Sequence, residues 1–138
     1  MPEHLDGLRL QPEQAELQYQ LGIPGYARAI EGPHTWTGLV DGRVVGVCGI
    51  QEKWKGRGLA WALLTTGLTA RDFLRAHNKV REILDLAQIQ KLVRVETAVL
   101  VKHEEANRWA RTLGFEREGL MKKYSPEGND AWLYARVA

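Results

Sequence analysis

The stretch Gly49-Ile-Gln-Glu-Lys-Trp-Lys-Gly-Arg-Gly-Leu-Ala-Trp-Ala-Leu-Leu64 decides how this chain is read. An apolar run, RVVGVCGI (43–50), leads into it and marks a central strand covered on both faces. Gly56, Gly58 and the small Ala60 then let backbone N–H groups point outward with little obstruction. Downstream, Leu59, Ala62, Leu63, Thr66, Ala70, Phe73 and Leu74 recur at helical spacing, which predicts a long helix beginning in this segment. Free N–H groups at a helix start, with the positive end of its dipole, form a cradle for an anion. Lys53, Lys55 and Arg57 add positive charge there, and a pyrophosphate is the ligand such a cradle suits. Neither a GK[ST] sequence nor a complete GxGxxG follows, so the two commonest nucleotide loops are excluded.

Outward from this stretch the pattern is α/β. TWTGLV (35–40) pairs with RVVGVCGI across Asp41-Gly42, a strong hairpin turn. Towards the N-terminus a short strand or turn through Leu8 and Leu10 precedes a helix from Pro12 that stops at Gly22, and a second helix covers Pro24 to Ile30. Beyond the long helix, Lys79 to Gln88 is again helical and Arg94 to Val101 alternates as a strand. His103 to Leu113 reads as a helix capped by Gly114. Glu116–Tyr124 and Ala131–Val137 form a closing hairpin around Pro126-Glu127-Gly128. All five prolines lie outside residues 34–125, which therefore read as one uninterrupted core.

Composition bounds the rest. The 138 residues suit a single domain, 1–138, with 44% apolar residues and a formal charge of +2 from 19 Lys+Arg and 17 Asp+Glu. That balance gives no reason to invoke nucleic acid, and no apolar run is long enough to span a membrane. Glu3 and Asp6 interrupt any signal-peptide pattern, and the lone Cys48 fits a reducing compartment, so a cytoplasmic protein is expected. The four histidines have no ligand spacing, and no metal site is expected.

Two segments carry a family resemblance. WKGRGLAWALL is similar to the aromatic-R-G-x-G-I-G-x-A-L-L signature of the GNAT superfamily of N-acetyltransferases, with Lys55, Gly58 and Ala60 on its Q/R-x-x-G-x-G/A positions. HEEANRWARTLGF resembles the family's N-x-x-A-x-x-L-Y-x-x-L-G-F segment through Ala106, Leu113, Gly114 and Phe115. RWARTLGF with the final hairpin is most similar to acetyltransferases of tailed phages and prophages, among them relatives of internal virion protein A. The resemblance implies a splayed mixed sheet flanked by helices on both faces, and acetyl-CoA as cofactor. Its pyrophosphate would lie on Lys55, Gly56, Arg57, Gly58, Leu59 and Ala60, and its pantetheine arm on the strand edge at Ile50 and Gln51. An amine acceptor, small molecule or protein, would attack the thioester directly, and a second chain completes the sheet in many such folds. The sequence departs from the family at several places: Lys55 replaces Gln or Arg, His103 stands where Asn is usual, and Ala110 stands where a Tyr often protonates the thiolate. The hairpin Trp36–Ile50 also enters the loop directly, with fewer strands before it than usual.

Candidate catalytic groups follow. Glu52, beside the cradle, is a base or a solvated carboxylate, with an ordered water as the alternative base. Glu96 alternates away from Val95 and Thr97 and lines the cleft or the surface. His103 is an acid, a water-positioning group or a helix cap. Tyr124 replaces the missing acid or packs. Trp54 covers the loop or stacks on a base. Cys48 reads as a core residue. The rival readings are a GNAT-like protein that kept its fold and lost turnover, serving as a binding or virion component, and a phage enzyme that modifies nucleic-acid bases.

Overall fold

The computed structural model describes residues 35–40, 43–64 and 68–138. The strand and helices predicted over residues 8–30, and the Asp41-Gly42 turn, lie outside the described residues. Eight elements are described: β1 (Thr35–Val40), β2 (Arg43–Trp54), β3 (Arg57–Leu64), α1 (Ala70–Gln90), β4 (Arg94–Leu100), α2 (Glu104–Thr112), β5 (Glu116–Met121) and β6 (Ala131–Val137). The six strands form one mixed sheet in the order β1-β2-β3-β4-β6-β5. Helix α1 is the crossover that lets β4 run parallel to β3, whereas β4 with β6 and β6 with β5 pair antiparallel. The expected α/β class with a mixed sheet is what the chain adopts.

One element differs from expectation. Residues 57–64 form a strand, and the helix begins only at Ala70. The run LAWALL satisfies a two-residue period as well as a helical one, because Leu59, Trp61 and Leu63 alternate with alanines; short apolar runs cannot be separated by period alone. The deciding local feature is Gly56, whose φ of +89° suits a tight two-residue connection between β2 and β3. Its carbonyl accepts the N–H groups of Val93 (2.9 Å) and Arg94 (3.0 Å), fixing the turn against the start of β4. The helix start moves to Thr69, whose Oγ1 accepts the Asp72 N–H at 3.1 Å, the bond expected of an N-cap. From there the two predicted helical segments join into one 21-residue helix.

The chain divides into two compact units, residues 1–51 with 60–79, and residues 52–59 with 80–138. In the first, Val47 and Ile50 of β2 are buried. In the second, Val95 is fully buried, and the register Val95↔Arg136, Thr97↔Tyr134 puts these residues on one face of the sheet. Asp85 of α1 pairs with Arg136, and Asn107 of α2 accepts the Tyr134 hydroxyl, so both described helices reach that face. Glu96 falls on the opposite face, across from Ala135. Helix α2 ends in a Schellman arrangement: Phe115 N–H donates to Ala110 O and Gly114 N–H to Arg111 O, each at 3.0 Å. Gly114 takes the left-handed position at φ +93°, and Phe115 and Ala110 are both buried beneath it. The LGF tripeptide is thus a helix stop with an apolar anchor.

Gly56→Ala and Gly128→Ala separate backbone strain from crowding. Both glycines have positive φ, but a Cβ on Gly56 would lie 2.7 Å from Val93 Cγ2, whereas one on Gly128 meets nothing within 4 Å. Urea unfolding is expected to show a loss of about 1 kcal/mol for Gly128→Ala, from the left-handed conformation alone. Gly56→Ala should lose clearly more, about 2–3 kcal/mol with crowding added. Equal losses would show that Val93 does not press on the turn.

Candidate functional site

The chemistry of the second unit gathers at the two ends of β4. At its start, the Arg57 Nε donates to Glu96 Oε1 at 2.9 Å and Nη2 to Oε2 at 2.5 Å, a bidentate pair. Arg94 Nε also donates to Glu96 Oε1, at 2.6 Å, and its two remaining nitrogens grip Glu118 of β5. Glu96 is only 7% exposed, so its charge is sustained by these two guanidinium groups. The Arg57 hydrogen bond, reinforced by Arg94, outweighs burial and pulls the Glu96 carboxyl down to about 2. Arg57 is raised in turn, chiefly by that bond to Glu96, and Arg94 chiefly by its bond to Glu118. Across the turn, the Arg57 guanidinium stacks on Trp54, 4.3 Å from the ring centroid. A cavity of about 360 Å³ opens here, lined by Trp54, Lys55, Arg57, Val93, Arg94 and Glu96.

At the far end, β4 turns into α2. Asn107 Nδ2 donates to Leu100 O (3.0 Å) and to His103 O (2.8 Å), holding the corner. Its Oδ1 accepts the hydroxyl of fully buried Tyr134 at 2.7 Å, and that hydroxyl accepts from Arg117 Nη2 at 3.2 Å. Arg117 lies over the Trp132 ring at 4.0 Å. Asn107, Tyr134 and Arg117 were not singled out by the sequence. A polar residue one step from Ala106 on the packed side of α2 was the only hint.

The predicted catalytic residues do not meet. Glu52 lies within β2 and pairs with Lys91 at 3.3 Å, before β4 begins. His103 is the buried residue that opens α2, its N–H bonded to Leu100 O after β4 ends. The six residue steps of β4 separate these ends by roughly 20 Å. Tyr124 is exposed in the β5–β6 connection, its N–H bonded to Asn129 O. Asp130 O accepts Val101 N–H, which brings this connection to the same end of β4 as His103. Two of the three candidates therefore share an end, and Glu52 stands apart.

The predicted cradle is also displaced. No helix starts at Lys55–Ala60: Lys55 and Gly56 form a hairpin turn, and Arg57, Gly58 and Leu59 are paired in the sheet against Arg94, Val95 and Glu96. Ala60 follows in the same strand. Amides inside a sheet are spoken for by neighbouring strands and cannot converge on a phosphate. Ile50 is buried and Gln51 half-buried within β2, which runs on to Trp54, so neither ends a strand. Among the described residues the β3–β4 ladder has three pairs, ending at Leu59↔Glu96, while β4 continues to Leu100. In the first unit, the indole Nε1 of Trp61 is buried without a partner among the described residues. Cys48 has its thiol pushed up to about 11 by burial, which keeps it unreactive. No cluster of His, Cys, Asp or Glu among the described residues has the makings of a metal site, and no described helix is long and apolar enough to cross a membrane.

Because the folded Glu96 titrates below the ordinary carboxylate range, its contribution is fully present above about pH 5 and is lost as pH falls towards 2. Glu96→Gln should lower stability at pH 7 by about 2 kcal/mol. The gap between wild type and variant should close on titration from pH 5 to 2, followed by urea midpoints. A gap that stays constant over that range would show that the carboxylate charge is not what the arginines hold.

No protein-family model matches the sequence, and no curated protein matches it. Solved structures do match. An acetyltransferase of the GNAT family from Streptococcus pneumoniae superposes with a TM-score of 0.67 at 16% identity, over 75% of this chain and 66% of its own. A GNAT-family acetyltransferase from Bacillus anthracis gives 0.67 at 17% identity, over 82% and 71%. The ribosomal-protein-S18-alanine N-acetyltransferase of Escherichia coli gives 0.65 at 14% identity, over 80% and 73%. The chain thus spans about two thirds of the length of the first of these. Identities this low speak for architecture, and the architecture is that of the GNAT acetyltransferases.

Proposed function

We propose that this protein is an acetyl-CoA-dependent N-acyltransferase whose acyl-transfer centre lies at the C-terminal end of β4. The carrying observation is the free edge of β4. Its far side pairs with β6 along its whole length, from Arg94↔Val137 to Leu100↔Ala131, whereas the ladder towards β3 covers only Arg94 to Glu96. Thr97 to Leu100 therefore offer backbone N–H and C=O groups on one side without a ladder partner among the described residues, and an amide-bearing arm such as pantetheine fits such an edge. Acetyl-CoA, when bound, supplies an acyl group activated as a thioester.

The chain's own part is positioning and proton handling. The Thr97–Leu100 edge aligns the arm. His103, held at the corner by Asn107, orders the water that takes the proton of the attacking amine. The Tyr124 hydroxyl, exposed at the same end, holds the proton that the leaving sulfur needs, a role in which it replaces the tyrosine absent at Ala110. Glu52 takes no part, because it stands about 20 Å away at the other end of β4. The sequence resemblance adds an origin in a tailed phage or prophage.

A second reading is favoured by one observation: Ala110 is buried, and nothing on α2 supplies an acid at that position. In that reading the fold binds acetyl-CoA but turns nothing over. Calorimetry with acetyl-CoA, together with CoA release in a panel of amines, separates the two. Binding with amine-dependent release is expected, falling about 100-fold in His103→Ala and staying within about twofold in Glu52→Ala. Binding without release would establish the second reading, and neither binding nor release would overturn both.

A further inference from the structure

The cavity at the start of β4 lies at the end of the strand away from the proposed acyl-transfer centre, and cationic and aromatic side chains meet in its lining. We infer that it binds a planar aromatic phosphate of mononucleotide size, at a site separate from the acyl-transfer centre. Its volume of about 360 Å³ is at the small end of the usual range for ligand sites. It holds three cationic residues, Lys55, Arg57 and Arg94, against one carboxylate, Glu96.

These charges are not equally available. Arg94 spends all its nitrogens on Glu96 and Glu118. Arg57 spends Nε and Nη2 on Glu96, which leaves Nη1 without a hydrogen-bond partner among the described residues. Lys55 has no ion-pair partner among them either, and it is exposed on the turn. Two cationic donors thus remain at the rim, one flexible and one locked. The lock matters: a guanidinium held by a bidentate carboxylate on one edge and an indole on its face is already ordered before a ligand arrives. Trp54 is 63% exposed, and Arg57 covers only one face of its ring. The open face offers a stacking surface next to the two donors. An aromatic ring joined to a phosphate satisfies both at once, whereas phosphate alone leaves the indole bare and a neutral ring leaves the donors bare.

The site lies at the opposite end of β4 from His103 and Tyr124, which makes it distinct from the proposed acyl-transfer centre. The inference stands whether or not that centre is active. Calorimetric titration with AMP, adenosine and inorganic phosphate tests it, each on wild type, Trp54→Ala and Lys55→Ala. Both changes are at exposed positions, and unchanged melting midpoints would confirm intact folding. AMP should bind at least tenfold more tightly than either fragment, and each substitution should weaken it about tenfold. Acetyl-CoA affinity should not change in either variant. AMP binding no tighter than phosphate, or unaffected by Trp54→Ala, would overturn the inference. So would parallel loss of AMP and acetyl-CoA binding in both variants, since the pocket would then belong to the cofactor's own site.

Discussion

Glu96 between Arg57 and Arg94 is the constraint on which the second unit depends. A carboxylate 7% exposed on a sheet face is tolerable only if its charge is matched, and the matching groups come from two different strands. Arg57 reaches it from β3, so the parallel ladder is riveted at its short paired stretch. Arg94 extends the chain of charges to Glu118 on β5. The result is a polar strap across one face of the sheet, running from β3 through β4 to β5. On the other face, the same residues' neighbours, Val95 and Tyr134, are fully buried, worth about 2 kcal/mol for a side chain of Val95's size. One face is held by apolar packing and the other by charge.

The second organising device is the corner at the end of β4. Asn107 uses three of its hydrogen-bonding positions at once: two donated to the carbonyls of Leu100 and His103, one accepted from Tyr134. The carbonyl of Leu100, which also accepts the His103 N–H, thereby carries a second bond where the strand gives way to the helix, worth about 1 kcal/mol. Both bonds come from residues at the start of α2, which ties the helix to the end of the strand. Tyr134 extends the tie to β6 and, through Arg117, to β5. His103 therefore sits buried at a corner whose geometry is fixed largely by Asn107 and Tyr134.

How much of this was legible follows from the range of each interaction. The hairpin strands, β4, α2 with its Gly114 stop, and the closing β5–β6 pair were readable because their signals are local: turn residues, alternation and a glycine cap. Residues 57–64 misled because leucines and alanines at those spacings satisfy both periods, and Gly56 was taken for part of a loop rather than the centre of a turn. Strand alternation placed Glu96 off the Val95 face. Its partner Arg57, 39 residues earlier, could be identified only once β3 was known to be a strand beside β4. Asn107 was invisible for the same reason, since its bonds run to Leu100 O and Tyr134, neither of which has a sequence signature. The displaced cradle shows the cost: a motif matched by glycine spacing was assigned a helix start that the chain makes only after Leu64.

The two ends of β4 differ in how many ladder partners they have among the described residues. Between Arg94 and Glu96 the strand is bonded on both edges, and the side chains of Arg94 and Glu96 are bonded as well. From Thr97 to Leu100 the ladder partners among the described residues are those of β6. Backbone amides withdrawn from water without partners are costly, so a fold that ends a parallel ladder early either exposes those groups or reserves them for a ligand. The strap of charges reinforces the short ladder: Arg57 and Glu96 grip across its three pairs, so side-chain bonds add to the backbone bonds that join β3 to the start of β4.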